Sequence, residues 1–216
     1  IDWGDGSAAQ VLSAAQLAAL GGNVTHVFAD DQDGPVNSTA RTVSVTVSDG
    51  DGGSTTRTQQ VSVLNVAPTA AVSGADAVDE GGSYTLTVGA VSDPGADTRS
   101  SYSIAWGDGQ TSSFTAAQWA AANGSFSHTY ADGSAAPTIT VSASDEDGTF
   151  VLGSKAITVN NLAPTLTVAG AASSNEGATY TLAIAASDAA GAADPLSYSI
   201  DWGDGSAAQV LSAAQL

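Results

Sequence analysis

Apolar and polar residues alternate with a period of two along most of this chain. Tyr84, Leu86 and Val88 form one such run, and Tyr102, Ile104 and Trp106 the next. Phe126, His128 and Tyr130, then Ile139, Val141 and Ala143, then Ile157 and Val159 continue the pattern. Alternation of this kind puts every second side chain on one face of a strand. With a strand near residues 69–73 ahead of them and a short one over 110–114, these runs predict seven strands separated by Gly, Pro, Asn and Asp. One segment breaks the pattern. Thr115 can N-cap a short helix over 116–122, and Asn123-Gly124 supplies a left-handed stop. Ser13, residues 14–20 and Gly21-Gly22 repeat that device, so Leu17, Leu20 and Trp119 are expected to plug one end of a two-layered β domain.

The chain also repeats itself. Ile1-Asp2-Trp3-Gly4-Asp5-Gly6 returns as Ile104-Ala105-Trp106-Gly107-Asp108-Gly109 and as Ile200-Asp201-Trp202-Gly203-Asp204-Gly205. Thr25-His26-Val27-Phe28-Ala29-Asp30 returns as Ser127-His128-Thr129-Tyr130-Ala131-Asp132, and Asn65-Val66-Ala67-Pro68-Thr69 as Asn161-Leu162-Ala163-Pro164-Thr165. The offsets run from 96 to 103 residues. A longer period lies above them, because residues 1–17 are identical to residues 200–216, a spacing of 199. Fixed-period self-similarity is the mark of repeat architectures. The expected organisation is the C-terminal part of one domain (1–66), one complete domain (67–162) and the N-terminal part of a third (163–216). Half a sandwich leaves its core and edges open, so neither end is expected to be stable alone. Either the chain is a window onto a longer polymer, or copies join head to tail by strand complementation.

The Trp-Gly-Asp-Gly turn is followed by Ser-His-Thr-Tyr and then by Thr-Ile-Thr-Val-Ser-Ala-Ser-Asp-Glu-Asp-Gly. Together these resemble the PKD (polycystic kidney disease) domain family. The resemblance implies an all-β chain of tandem Ig-like (PKD-like) β-sandwiches, here each with a short helical insert after the fourth strand. That insert, and a unit longer than usual, depart from the family pattern. The family's members are mostly spacers and adhesion modules on bacterial, archaeal and animal surfaces, and some bind calcium at their ends.

Charge narrows the partners. The 216 residues include 22 acidic and four basic ones, a net charge of −18. Nucleic acid needs clustered Lys and Arg, and anionic membrane surfaces repel such a chain. No apolar run approaches the ~20 residues of a spanning helix. Cys and Met are absent, which removes disulfides and thiol chemistry and fits an extracellular or cell-surface setting. No signal peptide begins at Ile1, so an internal or processed piece is expected.

Candidate chemistry is confined to a few places. The Gly-Asp-Gly turns of Asp5, Asp108 and Asp204 read as tight turns whose carboxylates accept backbone N–H groups. His26 and His128 read as buried, hydrogen-bonded histidines, for no spacing suggests a triad or a zinc site. Three glycosylation sequons, at Asn23, Asn37 and Asn123, read as chance matches in a bacterial-looking chain.

The acidic loops 30–34, 49–52, 79–80, 93 and 145–148 are different, because few cations are available to neutralise them. In an antiparallel sandwich, Asp93, Asp145 and Asp147 belong to one pole with the linker residue Asn65. Glu80 and Asp132 belong to the opposite pole, where Asn161 leads toward Asp188. Oxygen ligands without N or S suit Ca²⁺, so Asn65, Asp93, Asp145, Asp147, Glu80, Asp132, Asn161 and Asp188 are the expected calcium ligands. The alternative is that these loops are simply solvated and keep the chain soluble. No nucleophile–base or metal–base pair points to an enzyme. The expected role is a structural segment of an extracellular filament, stalk or adhesin shaft, whose partners are further copies end to end. A glycan- or protein-binding module is the alternative.

Overall fold

The structure is a computed structural model that describes residues 1–31 and 38–215. It is all-β apart from short helices. The first stretch contains helix α1 (Ala14–Ala19) and a long hairpin of β1 (Ser38–Ser48) and β2 (Ser54–Leu64). The middle stretch holds β3 (Val72–Gly74), β4 (Ala77–Asp79), β5 (Ser83–Val88), β6 (Ser101–Ala105) and β7 (Thr111–Thr115). Helix α2 (Ala116–Ala122) follows, then β8 (Ser125–Thr129), β9 (Thr138–Ser144), β10 (Thr149–Ala156) and β11 (Thr158–Asn160). The last stretch has β12 (Thr165–Gly170), β13 (Leu182–Ser187), β14 (Ser197–Ile200) and β15 (Gln209–Ser212), with two 3₁₀ turns.

Two sheets of the middle stretch face each other. One has the strand order β10-β9-β6-β7 and the other β3-β5-β8, while β11 pairs in parallel with β4. Their inward residues are the alternating set: Tyr84, Leu86 and Val88 from β5, Tyr102 and Ile104 from β6, Ile139, Val141 and Ala143 from β9, with Trp106 and Tyr130. Each large aliphatic side chain buried this way contributes about 1.5–3 kcal/mol. The predicted first strand is shorter than expected, a Thr69–Ser92 bridge followed by β3. The predicted last strand is longer, running through β10 and β11, with a bulge at Leu152 that turns this residue into the core.

Both helices start as their sequences predict. Thr115 Oγ1 accepts from Gln118 N while Gln118 Oε1 accepts from Thr115 N, and Ser13 and Gln16 make the same reciprocal pair. Asn123 closes α2 with φ 50°. The helices differ in what they cover. Trp119 stacks on Tyr102 at 4.3 Å and lies 4.4 Å from Phe126. Leu17, at the corresponding place in α1, is 40% exposed, and Leu20 is 49% exposed. The expectation that these leucines plug a sandwich end is therefore wrong. A plug needs a facing sheet, and the first stretch has no described counterpart of β3 and β5.

Gly107 shows why the Trp-Gly-Asp-Gly turn needs glycine. Its φ is +84°, and a Cβ there would meet Thr138 O and the Pro137 ring at 2.8 Å. Asp108 Oδ1 accepts Gln110 N within the turn, as Asp5 does from Ser7 N and Asp204 from Ser206 N. These carboxylates fix turns.

Candidate metal centre

The loop after β5 and the turn between β9 and β10 meet at one end of the middle core. Asp145 Oδ1 accepts from Asp147 N and Gly148 N, which tightens the turn and leaves its other oxygen turned away. Glu146 accepts Thr98 N on both oxygens and so clamps the turn to the loop. Asp93 is held by Arg99 at 2.9 Å and by Gly95 N. From the first stretch, Ala29 O accepts Ala96 N at 2.9 Å, bringing Asp30 and Asp31 against the same loop. Arg41 reaches this edge through a bond to Asp30 O.

Among the described residues, seven carboxylates gather here: Asp30, Asp31, Asp93, Asp97, Asp145, Glu146 and Asp147. Buried oxygens without any donor are Oδ2 of Asp31, Oδ1 of Asp97, Oδ2 of Asp145 and both of Asp147. The Asn65 amide is also buried and unpartnered, beside a cavity of about 100 Å³ that Asp30, Asp31 and Asp97 help to line. Leaving such groups unsatisfied costs about 1–3 kcal/mol each, more when charged. Burial pushes the Asp97 carboxyl up to about 6, with repulsion from Asp93, Asp30, Glu146 and Asp145 adding to it. Asp147 is raised for the same reasons, burial first and then Asp31 and Asp145.

A second cluster lies where the middle and last stretches approach. Glu80, Asp188 and Asp194 each offer an oxygen within 4.8 Å of the others. Glu80 is 1% exposed; its Oε1 accepts Leu162 N at 2.7 Å, and its Oε2 has no partner. Asp188 accepts Ala190 N on one oxygen, and the other is buried and unpartnered. Gly81, φ +70°, lets the turn come so close that a Cβ would lie 2.8 Å from Ala189 O. Among the described residues, every buried carboxylate oxygen without a hydrogen-bond partner belongs to one of these two clusters.

Of the expected ligands, Asp93, Asp145 and Asp147 converge, with Asn65 next to them, and Glu80 meets Asp188. Asp132 does not join; it is exposed and stands apart from both clusters. The next residue, Gly133, lies against the second cluster: a Cβ there would strike Glu80 Oε2 at 2.5 Å and Asn161 Cα at 2.6 Å. Asn161 is exposed, and its neighbour Leu162 contributes backbone rather than side chain. Asp30, Asp31, Asp97, Glu146 and Asp194 also stand in these clusters and were not among the expected ligands. The repeat was the available signal, since Asp97 and Asp194 follow Asp93 and Asp188 in the same loop of successive units. Asp33 and the Asn37 sequon lie outside the described residues.

The histidines are half-buried and each bonds the turn aspartate, His128 to Asp108 and His26 to Asp5, both at 2.6 Å. Each ring also stacks on its tryptophan, 4.6 Å from Trp106 and 4.5 Å from Trp3. Ser7 Oγ donates to Asp5, not to His26, so the imidazole is not placed to take a hydroxyl proton. The large exposed aromatics Tyr180 and Trp202 correspond to the core residues Tyr84 and Trp106, and Tyr180 bonds Ala171 O just as Tyr84 bonds Ala75 O.

Among the described residues, no helix is long and apolar enough to cross a membrane. No family model, no curated protein and no solved structure matches the chain.

Proposed function

We propose that this chain is a length of tandem Ig-like, PKD-like sandwiches that serves as a structural segment of an extracellular or cell-surface filament, stalk or adhesin shaft, without enzymatic activity. Its units are 1–66, 67–162 and 163–216, and calcium at the two junctions stiffens the segment. The observation that carries this reading is that, among the described residues, donorless buried carboxylate oxygens are confined to these two clusters between successive units. Oxygen-only ligand sets suit Ca²⁺. The residues present fit that ion: three carboxylates at the second junction and more at the first. Bound there, calcium supplies the positive charge that the carboxylates lack. The chain's own part is to hold the loops: Glu146 on Thr98 N, Asp145 on its own turn, Glu80 on Leu162 N.

Extracellular modules of this kind bind Ca²⁺ at roughly 10⁻⁴–10⁻³ M. At ~100 times Kd, a site stabilises its junction by about 2.7 kcal/mol. Small-angle scattering and thermal melting of the 216-residue chain in calcium and in EDTA provide the test. Calcium is expected to lengthen the particle and raise the melting temperature. Identical maximum dimension and melting temperature in both buffers would defeat the reading.

A further inference from the structure

The carboxylates at the first junction are spread too widely for one ion. They fall into three sets, Asp31–Asp97–Asp147, Asp93–Asp97–Asp145 and Asp30–Asp97–Glu146, each with its oxygens within 4.8 Å of one another. A calcium ion with Ca–O distances of about 2.3–2.6 Å spans oxygens no more than ~5 Å apart, so one ion is served by one set. Asp97 alone belongs to all three.

The sets differ in what already satisfies them. In the first, Asp31 is 3% and Asp147 6% exposed, and Asp31 Oδ2 and both Asp147 oxygens lack donors. In the second, Asp145 Oδ2 is buried without a donor, while Asp93 carries the Arg99 guanidinium. In the third, both Glu146 oxygens accept Thr98 N, and Asp30 and Glu146 are half-buried, unlike Asp31 and Asp147. Apart from Asp97, which all three sets share, the buried donorless oxygens of Asp31, Asp145 and Asp147 fall in the first two sets.

We infer that this junction holds two divalent cations side by side, bridged by the Asp97 carboxylate: an inner one on Asp31, Asp97 and Asp147, and an outer one on Asp93, Asp97 and Asp145. The inference rests on the reading of the junctions as calcium sites. Charge supports the number two. The five carboxylates of these two sets carry five negative charges, which two divalent cations offset together with Arg99, bonded to Asp93. Arg99 also repels a cation on its own side, so the inner ion binds first.

Calorimetric titration of the full chain with CaCl₂ tests this, in an E80Q background that silences the second junction. Relative to that background, D147N is expected to lose one ion, D93N one, the double variant two, and D97N alone two. Loss of only one ion in D97N, or a double variant that loses no more than either single one, overturns the two-cation centre. Absence of any calcium binding overturns the junction reading itself, so the two failures are distinguishable. Misfolding is checked by melting in EDTA. D97N and D147N each remove a buried charge, and neither is expected to melt below the background.

Discussion

Trp106 and Trp202 sit in the same motif, yet Trp106 is 1% exposed and Trp202 43% exposed. The strands that precede them read Ser-Tyr-Ser-Ile in both cases, and the turns that follow read Gly-Asp-Gly. What separates them is the partner strand. In the middle stretch β6 is flanked by β7 and β9, with Ile104 opposite Val141 and Tyr102 opposite Ala143. In the last stretch β14 pairs, among the described strands, with β15 only, and Tyr198, Ile200 and Ile184 line an open apolar hollow of about 320 Å³. The first stretch is the counterpart, with Val45 and Val47 exposed on β1 at the places that Val141 and Ala143 fill in β9. Its Asp2–Ser44 bridge keeps the register that Ala105 and Thr140 keep in the middle stretch. A repeat motif thus carries the tendency to be buried, but burial itself depends on strands distant in sequence.

Truncation at the two tryptophans gives the largest expected contrast. Trp106→Ala should cost about 3–5 kcal/mol in chemical denaturation. Trp202→Ala should fall within about 0.5 kcal/mol, as for a surface site. Equal losses would mean that the last stretch is closed in solution.

The contrast should disappear if further strands are supplied. Extending the chain beyond residue 216 with a copy of residues 18–66 is expected to bury Trp202 and shift its fluorescence to the blue. Ile200→Ala, nearly silent in the present chain, should then cost about 2–5 kcal/mol. An unshifted Trp202 emission would show that sequence repetition does not bring structural completion.

The helix caps offer a milder version of the comparison. Thr115→Ala should cost about 1 kcal/mol, because α2 is packed through Trp119 onto the core. Ser13→Ala should leave the main unfolding transition in place, because among the described residues α1 packs against no buried core. Parallel urea melts of the two variants decide this.

The smallest effect is one of pH at the junction. The Asp97 carboxyl is raised to about 6 in the fold, against 3.8 for a free side chain. Between these values the folded chain binds the extra proton, so without calcium its stability should rise as pH falls from 7 toward 4. Calcium must displace that proton, so its affinity should weaken as pH falls through 6. D97N should flatten both profiles, and a D97N chain with an unchanged calcium–pH profile would assign the titration to another group.

Much of the chain was legible from short-range pattern. The alternation at Tyr84, Leu86 and Val88, the Thr115 cap, the Asn123 stop and the Gly107 turn each depend on a few neighbouring residues, and each appears where the sequence puts it. Asp93, Asp145 and Asp147 could be brought together on paper because antiparallel topology assigns loops to poles. Asp97 could not, since its role depends on how its loop bends toward Ala29 and the Glu146 clamp.

The sequence by itself determined the repeat, the strand faces, the caps and the excess of negative charge, because these follow from local periodicity and composition. Only the tertiary structure decided which carboxylates face one another without donors, that Asp30 enters a cluster while its counterpart Asp132 does not, and why Leu17 stays exposed where Trp119 packs. These outcomes depend on contacts between segments tens of residues apart, where one added Cβ or one absent strand changes which side chain fills the space.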